Sequence, residues 1–146
     1  MKFSSLNWMK RYETFEHTAD LGIRVFGRTY EEVFANAAYA LFDFLTNLDN
    51  VGESLSCKIQ VEAVDPEELL VRWLSELLFL SESRGYLFKD FSFSHLDQTS
   101  LQAEAHGETF DPSRHKLKAE VKAVTYHQVE VKEKDGRWEA RVIFDI

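Results

Sequence analysis

Two carboxylates stand apart from the solvated charge around them. Asp20 closes the stretch Glu16-His17-Thr18-Ala19-Asp20, which has no apolar period of its own and reads as a loop that presents side chains. Asp145 is next to last, at the end of the apolar run Val142-Ile143-Phe144, with the carboxylate of Ile146 one residue on. A last strand ending beside the His17–Asp20 loop would bring three carboxylates together, and such a cluster takes up a hard cation or a proton to offset repulsion. Oxygen donors without Cys or paired His favour Ca²⁺, Mg²⁺ or Mn²⁺ over zinc. A plainer reading stays open for each residue: Asp20 in an Asx-turn or helix cap, Asp145 at a solvated chain end.

A third segment of interest is Lys122-Ala123-Val124-Thr125-Tyr126-His127. Lys122 alternates with Val121 and Ala123, so its ammonium is expected to face solvent or a partner. It belongs to a basic cluster, Arg114, His115, Lys116, Lys118 and Lys122, which reads either as an anionic partner's contact or as a solvated strand face. His17, His115 and His127 take no assigned role. Cys57 falls on the dry side of an alternating strand, where a thiol is a small core residue rather than a nucleophile. The chain has no GxGxxG, GxxxxGK[ST], GxSxG, HExxH or CxxC pattern, so a self-contained nucleotide, hydrolase or zinc motif is missing.

The elements that position these residues are legible from period and punctuation. Gly22–Gly27 alternates as a half-buried strand. Thr29 and Glu32 form a capping box, and Val33, Phe34, Ala37, Ala38, Leu41, Phe42 and Leu45 give the helix behind it an apolar stripe. A strand through Ser56–Ala63 follows. Asp65 then caps a second helix with Pro66 at its first position and Leu69, Leu70, Trp73, Leu74, Leu77, Leu78 and Leu80 on its apolar face. That helix ends at Gly85. Everything after reads as strands: Tyr86–Leu96, Leu101–Phe110, and a hairpin around Asp135-Gly136. The expected architecture is α+β, one domain with two amphipathic helices packed on a mostly antiparallel sheet.

Bulk properties bound the function. At 146 residues, with 45% hydrophobic residues, one core-forming domain is expected, with residues 1–8 a loose extension and 9–146 the domain. The N-terminus lacks a signal-peptide h-region, no apolar run approaches a membrane span, and one free cysteine suits a reducing compartment, so a cytoplasmic protein is expected. A net charge of −8 argues against wrapping nucleic acid, which leaves no direct DNA binding and only an indirect RNA link.

Three ordered motifs, Glu16-His17-Thr18-Ala19-Asp20 before Gly22, Val121 through His127, and the terminal Phe144-Asp145-Ile146, together resemble the archease family. The likeness runs from about Tyr12 to Ile146. The resemblance implies a small α+β protein that is not itself an enzyme but activates an RtcB-type RNA ligase in tRNA splicing or RNA repair, promoting guanylylation of the ligase and multiple turnover. It implies a metal site at Asp20, Asp145 and Ile146, with Ca²⁺ in the isolated protein and Mg²⁺ or Mn²⁺ as alternatives. It also implies that Lys122 assists the ligase. Two other readings remain beside it: a metal-dependent phosphoesterase acting alone, and a chaperone-like assembly module for RNA-modifying enzymes.

Overall fold

A computed structural model of the chain describes residues 10–17 and 20–146, the side chains of Glu16 and His17 excepted. The expectation of a loose extension over 1–8, and the Thr18-Ala19 part of the first motif, lie outside the described residues.

Strands β1 (Tyr12–His17) and β2 (Asp20–Gly27) precede helix α1 (Tyr30–Leu45) and a 3₁₀ turn at Leu48–Asn50. Strand β3 (Leu55–Glu62) and helix α2 (Pro66–Arg84) follow, then β4 (Tyr86–Leu96), β5 (Ser100–Thr109), β6 (Ala123–Lys134) and β7 (Arg137–Asp145). The class is α+β, as expected. The strands divide into two antiparallel sheets, ordered β1-β2-β7-β6 and β3-β5-β4.

Both helices start where local chemistry satisfies their first free amides. The Thr29 hydroxyl accepts from the Glu32 N–H at 3.0 Å, and the Glu32 carboxylate accepts from the Arg28 N–H at 3.0 Å. Asp65 and Glu68 repeat the arrangement at 2.8 and 2.9 Å. Gly85 closes α2 in the left-handed conformation, at φ 72°.

Each helix packs against both sheets, α1 on β2 and β4, α2 on β6 and β3. Burial therefore extends beyond one stripe: Ala40 of α1 and Val71 of α2 are buried together with the expected apolar positions. The buried Trp73 indole N–H donates to the Phe34 carbonyl at 3.0 Å and joins the two helices. Fully burying each large core side chain is worth about 1.5–3 kcal/mol against chain ordering. Among the described residues no helix is long and apolar enough to cross a membrane.

Candidate functional site

Asp20 opens β2 rather than ending a loop that presents side chains. Strand β1 runs to His17, which stands opposite Asp20, so these two residues form the last pair of the β1–β2 ladder. On its other side β2 pairs with β7, and there Asp20 stands directly opposite Asp145. Directly opposed residues of antiparallel strands carry their Cβ atoms about 4.5–5.5 Å apart on one face of the sheet. The expected meeting of these two residues at one end of a sheet is therefore met in the register.

Alternation fixes which face they share. Leu21, Ile23 and Val25 stand opposite Phe144, Val142 and Ala140, and the buried members of these pairs join the core. Asp20 and Asp145 fall on the outer face with Arg24 and Arg141, another opposed pair. Both aspartates are half-buried.

Lys122 reaches the same end from the other side of β7. Ala123, the first residue of β6, stands opposite Asp145, and the Lys122 backbone N–H donates to the Asp145 carbonyl at 2.7 Å. Lys122 is exposed and immediately precedes β6. Beyond Thr125 the β6–β7 register breaks until Glu130, and Gln128 adopts a left-handed φ of 53° while its carbonyl accepts from the Arg141 side chain at 3.0 Å. Tyr126, 55% exposed, and His127 lie on this bulge.

The basic cluster is not a strand face. Residues 110–122 form an irregular link between β5 and β6, and His115 is buried within it. Its Nδ1 accepts from the Asp111 N–H at 2.9 Å, so Nε2 carries the proton and donates to Glu108 at 2.6 Å. Arg114 pairs with the same carboxylate oxygen. The Gly52 N–H and then Arg114 hold the Glu108 carboxyl at a pKa of about 2, well below its ordinary range. Sequence reasoning missed Glu108 because it continues the polar alternation of Gln102, Glu104 and His106 along β5. No local signal marks it as the one that turns inward.

The fold and site define a class: a small two-sheet α+β protein whose interior strands β2 and β7 bring a carboxylate pair to one end, with an exposed lysine beside it. A family profile described as the Archease protein family (MTH1598/TM1083) matches residues 12–146. Protein archease of Pyrococcus furiosus is 43% identical over 143 residues, spanning 94% of this chain and all of the relative. Protein archease of Methanopyrus kandleri is 43% identical over 138 residues, spanning 92% and 99%. The solution structure of protein 1598 of Methanobacterium thermoautotrophicum superposes with a TM-score of 0.82 at 38% identity, covering 94% of this chain and all of that one. A crystal structure of an archease from Thermotoga maritima, titled a possible chaperone, has the same fold at a TM-score of 0.60 and 18% identity, covering 92% and 96%. The chain belongs to the archease family.

Proposed function

We propose that this protein is a cytoplasmic activator of an RtcB-type RNA ligase, acting in tRNA splicing or RNA repair by promoting guanylylation of the ligase and its multiple turnover. The observation that carries the reading is the convergence of Asp20, Asp145 and the Lys122 main chain on one end of the β1-β2-β7-β6 sheet. The donor set fits a hard divalent cation, since two opposed carboxylates in like charge repel until a cation lies between them, and an oxygen of Ile146 is adjacent. Ca²⁺ suits these oxygens, as do Mg²⁺ and Mn²⁺. When bound, such a cation supplies positive charge to phosphate oxygens.

The protein's own residues do the rest. Two side chains satisfy only part of a shell of about six to eight oxygens, which leaves positions for a partner's phosphate groups. Lys122, exposed at the same end, offers an ammonium to the charge that grows on a transferring guanylyl group and its pyrophosphate leaving group. The rest of the chain is acidic, and opposite net charge speeds encounter with a cationic, RNA-binding ligase. No three His, Cys, Asp or Glu side chains gather among the described residues as an independent phosphoesterase centre would require. Large apolar side chains are exposed at Val64, Phe79, Leu117, Tyr126 and Ile146, and a chaperone reading would act through such residues.

The test is single-turnover guanylylation of a purified RtcB-type ligase with saturating wild-type or Lys122→Ala protein. The substitution is expected to lower the rate by about ten- to a thousandfold without changing the melt, as removal of a charge that stabilises a transition state does. A wild-type rate would remove Lys122 from the mechanism. GTP or RNA hydrolysis by the protein alone, lost in Asp145→Ala, would replace activation with the phosphoesterase.

A further inference from the structure

Three polar or charged side chains are buried among the described residues, and all three hold the same stretch of chain. They are Thr46, Glu108 and His115, with 1%, 7% and 4% of their surface exposed. The Thr46 hydroxyl donates to the Lys116 carbonyl at 2.8 Å, and the Lys118 N–H donates to the Leu45 carbonyl at 2.8 Å, so the segment is laid across the end of α1. His115 and Arg114 tie it to Glu108, and Arg114 also donates to the Asn50 carbonyl at 3.4 Å. Buried polar groups are costly unless each is paired, and here each is paired in a way that fixes one irregular loop. Irregular links of more than about 12 residues are uncommon in compact domains and are usually either binding loops or unstructured segments, and this one is held.

What the fixing displays is a row of cations. Lys116 and Lys118 are exposed on either side of Leu117, which bridges to Thr46. Extended backbone puts such alternate residues on one side, their Cα atoms about 6.6 Å apart. With Arg114, His115, Asn47 and Asn50 they line a groove of about 650 Å³. Residues 110–122 carry four Lys or Arg against two acids, a balance of +2, while the remaining residues sum to −10.

We propose that this groove is a preformed contact for the phosphodiester backbone of a single RNA strand. Arg, Lys and Asn are the side chains that take up phosphates. Leu117, 54% exposed between the two lysines, lines the groove with them, and no Phe, Tyr or Trp does, so the contact is to the backbone and not to stacked bases. Charges beyond about 8 Å are screened at physiological salt, so the local row outweighs the distant acidic surface once a strand is in contact. The choice of RNA over DNA rests on the ligase reading above, and it extends the expected indirect RNA link to a direct one. The preference for a phosphate backbone rests on the groove alone.

The experiment is fluorescence anisotropy of a labelled 12-nucleotide single-stranded RNA with the full chain, without ligase, between 20 and 200 mM KCl. Binding is expected to be saturable, with a log–log salt slope of about −1.4 for phosphate contacts by Lys116 and Lys118. Lys116→Glu with Lys118→Glu, two surface changes that leave the buried anchors alone, should weaken binding at least about tenfold and flatten the slope by about 1.4. His115→Ala, where it folds, should weaken binding several-fold with the slope retained, because the charges remain and only their placement is lost. An absence of saturable binding, or double-variant binding equal to wild type, overturns the proposal. Equal affinity for a DNA strand of the same sequence keeps the phosphate groove and overturns the choice of RNA. Because no ligase is present, a failure of the ligase reading leaves this result standing, and the reverse holds.

Discussion

The backbone N–H of Lys122 donates to the carbonyl of Asp145 at 2.7 Å, while Asp145 itself stands opposite Asp20 across the β2–β7 pair. Three segments far apart in the chain thus meet through main-chain geometry before any side chain is considered. That separation of roles lets backbone and side-chain contributions be tested independently.

Opposed like charges on neighbouring strands destabilise a sheet by a few tenths to about 1 kcal/mol. Asp20→Asn removes one of the two charges and should weaken Ca²⁺ binding at least about tenfold by calorimetry while the urea melt stays cooperative. Loss of the cooperative melt would make Asp20 a structural residue instead. Unchanged Ca²⁺ affinity would remove it from any cation site.

Acid should find the β5–β6 link through Glu108. Its carboxyl is held at a pKa of about 2 against an ordinary 4.5, first by the Gly52 N–H and then by Arg114. A carboxyl with a depressed folded pKa contributes stability that is fully present above its unfolded pKa and is lost as pH falls through the folded one. Urea midpoints should accordingly drop between about pH 4.5 and pH 2, and Glu108→Gln should flatten the drop across that window. An unaltered pH profile in the variant would place the acid sensitivity elsewhere, for example at Asp97, also lowered to about 2 by the Thr99 N–H in the β4–β5 turn.

The parts of the fold that were legible in the sequence are those written in local chemistry. Thr29, Asp65, Pro66 and Gly85 marked the helix ends because caps and left-handed residues act within four positions. Asp135-Gly136, with φ values of 53° and 79°, marked the β6–β7 turn for the same reason. The division into two sheets was not legible, since period-2 patterns give a strand's faces without its neighbours. Asp20 was found by type and placement, but its strand position depends on pairing with Asp145, a long-range fact. His115 and Glu108 were hidden more deeply: a histidine in a basic run and a glutamate in a polar alternation look solvated until the loop closes over them.

Strand β4 approaches β5 closely at Gly107, where a Cβ would lie 1.8 Å from the Leu87 carbonyl oxygen. Only glycine fits without moving backbone, and the β4–β5 register shifts next to this pair, between Phe88 and Asp90. Gly107→Ala should cost about 2–4 kcal/mol in denaturant melts, among the larger effects of a single methyl. A cost under about 0.5 kcal/mol would mean that the strands separate there easily.

The three contributions of position 122 separate by substitution. Lys122→Ala keeps the N–H that bonds Asp145, so stability should stay within about 0.5 kcal/mol and Ca²⁺ affinity within about twofold. Lys122→Arg keeps the charge but replaces a compact ammonium with a planar fork, and should restore only part of the ligase guanylylation rate that alanine loses. Lys122→Pro removes the N–H itself and leaves the Asp145 carbonyl to water, at about 0.5–1.5 kcal/mol for the lost bond. Because Asp145 ends β7, loosening it should also weaken Ca²⁺ binding, measured by the same titration. The ordering expected for cation affinity is Lys equal to Ala and Arg, with Pro below all three. Equal affinity in Pro would show that the carboxylate pair is held by β2 alone, and loss in Ala would show that the ammonium itself shapes the cation site.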